Sequence, residues 1–598
     1  MKENNFQNSI PFSEYPRPQM KRDSFFNLNG TWKLNGKDIL VPFPPESQAS
    51  NFNGKISSDL EYTKEFVLPD DFRNQLFQNN SKKRLLLHFG AVDQIATIFV
   101  NDVFVGTHHG GYLPFYFDIT DYLTENSAKQ TIKVIAKDTL NHLFPYGKQK
   151  KNRGGMWYTP VSGIWQTVWM EIVPEIYISK LKIVPDTKGF DLFVETTNCK
   201  LLQKDEDFDF CVKISVKSKS GKIYEFESNK TDLRIDLRNQ ETKDEFELWS
   251  PDCPTLYDFC VELFLSKETM NQKTNPLDCV SSYFALREIQ IKKFDGINRI
   301  CLNDKPIFLH GVLDQGYFPE GIYLPESSED FRADILRMKE LGINTLRKHI
   351  KIEPEIFYYE CDKNGMFVMQ DFVNNGSYNF LRDTAIPTIL CKKGRKKHLK
   401  DCAPSSLRQK IFLEHSEQTV EHLFNHPSII YYTIFNEGWG QFNANFRYKK
   451  FKELDSSRIW DTASGWFKNP LSDVESDHIY FKTPSLIEKA KNCEKPLIIS
   501  ECGGYTLKIE NHVWNPKAKY GYGSSSNKQE LTQKIAQMYK KMIIPAIKHG
   551  LCGCVYTQLS DIEDEINGFY TYDRKVCKVE KEAMLEITEE IKRIKNFE

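Results

Sequence analysis

After about Lys292 the hydrophobic pattern of the chain changes period, and no single sheet or helix bundle accommodates both parts. Before that point the sequence reads as short alternating segments broken by Gly, Pro, Asn and Asp. Beyond it, apolar strands alternate with amphipathic helices: 331–341, then 343–346, then 355–363, then 367–369. The alternation continues through 429–435, 496–500, a helix over 530–548, a strand over 553–559 and a last helix near 580–594. Repeated βα units over about 300 residues predict a parallel (β/α)8 TIM barrel. A doubly wound sheet is the alternative, but no Gly-rich phosphate loop supports it.

The first part divides again. From about Asn27 to Val173, stretches such as 85–89, 96–100 and 131–135 predict strands, and Asn101-Asp102 predicts a tight turn. This is the pattern of a jelly-roll β-sandwich. From about Pro174 to Ile291 a second set of strands, such as 208–216, fits an immunoglobulin-like β-sandwich. The expected domains are therefore 1–175, 176–291 and 292–598. A chain of 598 residues is in any case too long for one core.

Charge and cysteine content narrow the function. With 80 Lys+Arg against 81 Asp+Glu, the formal net charge of −1 provides no field that would draw nucleic acid or an anionic membrane. The 14 cysteines form no pairs spaced for zinc or a disulfide framework. The start, with Lys2, Glu3, Asn4 and Asn5, has no apolar signal region, and no run of 18 apolar residues occurs. The expectation is a cytoplasmic protein with no metal or cofactor, acting on a neutral or polymeric partner, with homo-oligomer formation left open. The basic run 392–397 reads as a solvated loop, and 374–404 as a loop long enough to overhang a site.

In a barrel, chemistry sits where strands end. Two strands end in a carboxylate followed by glycine or a small residue. Residues 429–435 run into Asn436-Glu437-Gly438, and 496–500 run into Glu501-Cys502-Gly503. Cleaving a glycosidic bond needs one carboxylic acid to protonate the leaving oxygen and one carboxylate to attack the anomeric carbon or activate water. Two strand-end Glu supply both, and a spacing of about 5 Å is expected if the mechanism is retaining.

These motifs, with Leu28-Asn29-Gly30-Thr31-Trp32, the stretch from His108 to Phe115 and Ser162-Gly163-Ile164-Trp165-Gln166, resemble glycoside hydrolase family 2, the β-galactosidase, β-glucuronidase and β-mannosidase family. The resemblance covers nearly the whole chain. It implies Glu437 as acid/base, Glu501 as nucleophile, and Asn436 as a hydrogen-bond partner of the sugar 2-hydroxyl. It further implies Arg347 and Tyr480 as partners that keep Glu501 ionised, and Tyr556, where relatives carry Trp, as a sugar platform. Trp157 is a further expected substrate contact. A negative nucleophile nearby is expected to keep the proton on Glu437.

Specificity does not carry over. The loop His310-Gly311-Val312-Leu313-Asp314-Gln315-Gly316 and the run Arg347-Lys348-His349 depart from the family pattern, leaving Asp314, Lys348 and His349 as candidate substrate contacts. Met369-Gln370-Asp371-Phe372 resembles the β-mannosidases, with Asp371 in the site. The stretch from Asp561 to Gly568 holds four acids where glucuronide-cleaving relatives place Asn-x-Lys, so a neutral sugar is expected, most simply a β-galactoside. A β-mannosidase, a β-glucuronidase, a catalytically inactive carbohydrate-binding protein and a structural partner are the competing expectations.

Overall fold

A computed structural model of the protein describes residues 10–78, 81–125, 129–197, 210–272, 274–386, 405–466, 470–480 and 485–595. The basic run 392–397 lies outside the described residues.

The first body is a two-sheet sandwich. Its six-stranded sheet runs in the order Lys37–Val41, Gly30–Leu34, Asp59–Phe66, Gln130–Lys137, Ile95–Val100, Val103–His109. Its four-stranded partner is Phe26–Asn27, Val168–Pro174, Lys83–Phe89, Phe115–Asp118. Alternation along Gln130–Lys137 buries every second residue, so Ile132, Val134 and Ala136 join Trp32, Leu85 and Ile98 between the sheets. Asn101 and Asp102, both at positive φ, make the hairpin turn between the last two strands of the larger sheet.

Among the described residues the second body has seven strands between Ile178 and Phe284, in sheets of three and four. Its core gathers Phe190, Ile214, Val261 and Phe284, and also Met20 from the N-terminal segment. Arg22 continues that stitch. Its guanidinium binds Glu171 of the first sandwich at 3.2 Å and Asp278 of the second at 2.8 Å, all three side chains buried. The N-terminal segment thus belongs to two cores, which a boundary near 175 does not express.

A three-stranded sheet over Ile289–Phe294, Ile297–Leu302 and Lys305–Pro306 leads into the barrel, whose first strand starts at Leu309. The eight parallel strands are Leu309–Asp314, Thr345–Lys348, Phe367–Asp371, Ile429–Asn436, Ile459–Ser464, Glu475–Ile479, Leu497–Cys502 and Leu551–Tyr556. They are hydrogen-bonded in the order 5-4-3-2-1-8-7-6, leaving the ladder open between the fifth and sixth. Every residue of the fourth, seventh and eighth strands is buried, as expected where helices cover the outer face. The helix expected over 530–548 is interrupted. It runs over Lys528–Met538, widens into a π turn at Tyr539–Ile543 and resumes at Ile544–Ile547. Pro545, which has no N–H to give to the preceding turn, accounts for the break. Among the described residues no helix is long and apolar enough to cross a membrane.

Candidate active site

Arg347, at the end of the second barrel strand, organises the strand ends around it. Fully buried, it directs its N–H groups at five neighbours. Nε donates to Asp371 (3.1 Å), Nη1 to Glu501 Oε1 and the Ser500 carbonyl (both 2.9 Å), and Nη2 to Asn436 Oδ1 (2.9 Å) and Ser464 Oγ (3.0 Å). One side chain from the second strand thereby fixes groups on the third, fourth, fifth and seventh. A planar fork with five donors suits this task, where a lysine ammonium would not.

Glu501 also accepts from the Tyr480 hydroxyl at 2.6 Å. Burial alone would raise the pKa of Glu501. The positive charge of His478 and Arg347, then His349, and the Tyr480 bond outweigh it and hold the group at about 2. Tyr480 is pushed the other way, by burial and the adjacent Glu501 charge, so it stays a donor.

Glu437 follows the fourth strand at φ 53, with Gly438 at φ 70. A left-handed Glu is a local cost, tolerated where surrounding structure imposes it, as functional sites commonly do. Its N–H donates to the Ser464 carbonyl at 3.0 Å. Its Oε1 lies 2.8 Å from His478 Nδ1, whose other neighbour is Glu501 Oε2 at 3.4 Å. One carboxylate oxygen each of Glu437 and Glu501, with a ring nitrogen of His478, fall within 4.8 Å of one another. This cluster matches divalent-metal ligand types. However, Arg347 and Tyr480 already occupy both oxygens of Glu501, an arrangement suited to a bare carboxylate nucleophile.

Asn436 Oδ1 accepts from Arg347 and from Ser464 Oγ, which turns its NH2 group away from them. The amide orientation follows from these bonds. His349 Nδ1 lies 2.6 Å from Asp371 Oδ2, and burial lowers its pKa to about 4, so it is neutral near pH 7 with Nε2 as an acceptor.

The cavity containing Glu437 and Glu501 is also lined by Asn436, His349, Tyr480, Leu313, Gln315, Trp466, Tyr520, Tyr522, Thr557, Glu565 and Phe380, and by Lys148 and Met156 from the jelly roll. A larger cavity, near Trp169 and Glu355, holds neither strand-end carboxylate.

Several expected contacts stand behind this lining. Tyr556 is fully buried, stacked on Phe569 at 4.5 Å, with its hydroxyl accepting from the Tyr505 N–H. It fills the space beside Gly503, where an added Cβ would come within 2.3 Å of the ring, so it is not a sugar platform. Asp314 and Lys348 pair at 2.6 Å, Lys348 also binds Glu353, and neither is among the residues lining the cavity. Asp371 is held by Arg347 and His349 and acts through them. Trp157 packs edge-on against Trp439 and Tyr378, supporting the wall rather than forming it. Of the four acids in 561–565, only Glu565 reaches the cavity. Asp561 pairs with Lys578, while Glu563 and Asp564 pair with Arg153. Within 374–404, Phe380 is a described lining residue, and 387–404 lie outside the described residues.

His478, Lys148, Gln315 and Glu565 are site residues that sequence reasoning did not assign. His478 had a signal: it lies two residues before Tyr480, on the same face of an extended segment.

The comparisons agree with this geometry. Residues 291–550 match the family model described as glycosyl hydrolases family 2, TIM barrel domain, and 28–171 match its sugar binding domain. A β-galactosidase of Thermoanaerobacter pseudethanolicus is 26% identical over 368 residues, covering 59% of this chain and 47% of the relative. The chain therefore spans about half the length of this relative. Among solved structures, β-D-glucuronidase of Dictyoglomus thermophilum superposes with a TM-score of 0.70 at 15% identity, covering 97% of this chain and 98% of the other. A β-galacturonidase from Eisenbergiella tayi superposes with a TM-score of 0.65 at 16% identity, covering 98% and 99%. At such identities the two structures speak to the fold.

Proposed function

The chain belongs to glycoside hydrolase family 2, and from that premise we propose that it is a retaining, exo-acting β-glycosidase of β-galactosidase type. The observation that carries this reading is the pair Glu437 and Glu501, with carboxylate oxygens within 4.8 Å in one cavity. A short separation of this kind supports retention, since inverting enzymes hold their carboxylates further apart to admit a water.

Glu501, already ionised, attacks the anomeric carbon as the glycosidic bond breaks, and Glu437 gives its proton to the departing oxygen. Water then gives a proton to Glu437 and displaces Glu501, returning both groups to their starting states. The Asn436 NH2 is placed to donate to the 2-hydroxyl, a bond that strengthens as positive charge develops on the sugar. Aromatic side chains of Trp466, Tyr520, Tyr522 and Phe380 line the cavity and offer faces on which a sugar ring can stack.

The galactoside reading is supported by the names of the curated relatives. A uronide reading has one observation of its own, the Lys148 ammonium in the cavity wall, and a β-mannoside is the third candidate. The test is proton NMR of 4-nitrophenyl β-D-galactoside during hydrolysis. The β-anomer of the free sugar is expected first; initial release of the α-anomer would exclude retention.

A further inference from the structure

Two thiols meet on the outer face of the second sandwich. Cys260 lies on the strand Tyr257–Phe264 and Cys279 on its antiparallel neighbour Asp278–Phe284. Val261 and Val280, each next in sequence to one of them, point into the core, so both cysteines point out of it. The register pairs Cys260 with Ser281 and Glu262 with Cys279, which makes the two cysteines diagonal neighbours on one face. Cys279 is exposed and Cys260 half-buried, and their Sγ atoms are 2.9 Å apart.

The contact gives the two thiols different chemistry. Water solvates a thiolate on exposed Cys279 better than one on Cys260, so the shared proton stays on Cys260, which donates to its neighbour. That bond lowers the pKa of Cys279, against burial and the charges of Glu262, Asp278 and Asp23. The same bond, with burial, pushes Cys260 up. Lys213, opposite Glu262 on the next strand, is held by Glu225 at 2.7 Å. The three acids disfavour an anionic oxidant such as glutathione disulfide and leave a small neutral peroxide as the fitting reagent. A second pair provides the contrast. Cys502 and Cys554, on the seventh and eighth barrel strands, hold their Sγ atoms 3.2 Å apart, but both are fully buried. The bond to Cys554 and burial push the Cys502 thiol up. Proximity is common to both pairs, whereas access and thiolate character belong to the surface pair.

We propose that Cys260 and Cys279 form a peroxide-reactive modification site, with Cys279 as the attacking thiol and Cys260 as the resolving one, which closes to a reversible disulfide between the two strands. The Cys279 thiolate attacks one oxygen of hydrogen peroxide, the O–O bond breaks, and hydroxide leaves to take up a proton as water. Cys260 sulfur then attacks the sulfenic sulfur of Cys279. The S–S bond forms, the S–O bond breaks, and the oxygen departs as water with the Cys260 proton. Two thiols are thereby oxidised by two electrons and one peroxide is reduced to two waters. A diagonal pair lies at the far end of the span that a disulfide crosses, which strains the bond and leaves it open to reduction by a thiol. The new bond sits next to Asp278, the residue through which Arg22 ties this sandwich to the first, and it restricts the unfolded chain between the two cysteines.

The test exposes the reduced full chain to hydrogen peroxide without denaturant and maps its cysteines by peptide mass spectrometry. One cross-link is expected, Cys260 to Cys279, with the loss of two hydrogens and reversal by dithiothreitol, while Cys502 and Cys554 remain thiols. Cys260→Ser should leave Cys279 to be trapped by dimedone as the sulfenic acid, and Cys279→Ser should give neither cross-link nor adduct. In iodoacetamide alkylation against pH, the Cys279 midpoint should lie below the ordinary 9.0 and move up in Cys260→Ala. The oxidised chain should unfold at a higher temperature than the reduced one, a gap that Cys260→Ser abolishes. Cross-linking of Cys502 to Cys554 ahead of the surface pair overturns the inference, as does peroxide consumption by other thiols with Cys260 and Cys279 both still reduced. A dimedone adduct on Cys260 in Cys279→Ser, formed as fast as that on Cys279 in Cys260→Ser, overturns the division of roles. An alkylation midpoint unmoved by Cys260→Ala does the same.

Discussion

Arg347 Nη1 lies 2.9 Å from Glu501 Oε1, with the guanidinium fully buried and the carboxylate nearly so. With its pKa held at about 2, below the ordinary 4.5, Glu501 is charged throughout the working pH range. The sign follows. Stability from its native contacts is complete above about pH 4.5 and is lost as pH falls toward 2. Arg347→Met removes a cation, so the pKa of Glu501 rises and the acid limb of the pH–rate profile moves up. The measurement is kcat/KM against pH with a dinitrophenyl glycoside, whose departure needs no proton. An acid limb that stays in place would show that Arg347 does not set the ionisation of Glu501.

The two carboxylates should respond differently to substitution. Glu501→Ala removes the attacking oxygen, and every substrate should suffer alike. Glu437→Ala removes proton transfer, so a dinitrophenyl glycoside should still glycosylate the enzyme, and azide, which needs no general base, should rescue turnover as the β-glycosyl azide. An α-azide formed by Glu437→Ala but not by Glu501→Ala would exchange the two assignments.

His478 Nδ1 lies 2.8 Å from Oε1 of Glu437, the proposed acid/base. His478→Asn is expected to lower kcat about 10–100-fold for substrates with poor leaving groups and much less for dinitrophenyl glycosides, a split that general loss of structure would not produce. Because Glu437, His478 and Glu501 together have metal-ligand chemistry, dialysis against EDTA is the companion measurement. Turnover is expected to survive it. Loss restored by a single divalent ion would assign these residues to a metal.

Arg22 joins Glu171 and Asp278 across two sandwiches, and burial leaves neither acid another route to water. Arg22→Ala leaves buried Asp278 without its cation and takes one of two arginines from Glu171, and should destabilise the structure by about 3–5 kcal/mol, as breaking buried ion pairs does. Scanning calorimetry should show a lower midpoint. A shift within error would mean that Arg17, also bound to Glu171 at 2.8 Å, carries the junction.

Glu437 and Glu501 were legible in the sequence because a carboxylate that ends an apolar strand is placed by period alone. Arg347 was legible only through the family resemblance. Tyr556 was not. It also ends a strand, but its ring direction depends on the glycine turn at 503, which strand period does not encode. His478 was readable from its alternation with Tyr480 and went unassigned. Tyr158 and Glu565 meet across 407 residues, and no local pattern announces such a contact. The acid-rich stretch shows the limit most directly. Four carboxylates in five residues looked like one feature, yet three are taken up by Lys578 and Arg153.

Tyr158 also changes how the chain can be recombined. A barrel excised from its neighbours would keep Glu437 and Glu501 but lose Lys148 and Met156 from the cavity wall and the Tyr158 hydroxyl bound to Glu565. Grafting this barrel behind a foreign sandwich would therefore change the lining of the cavity without touching a barrel residue. Conversely, substitutions in the loop around 148–158, over a hundred residues before the barrel begins, offer a route to new selectivity that spares the reacting atoms. Nor are the cores separate, since Tyr112, Val161 and Trp165 of the jelly roll pack in the same cluster as the barrel residues.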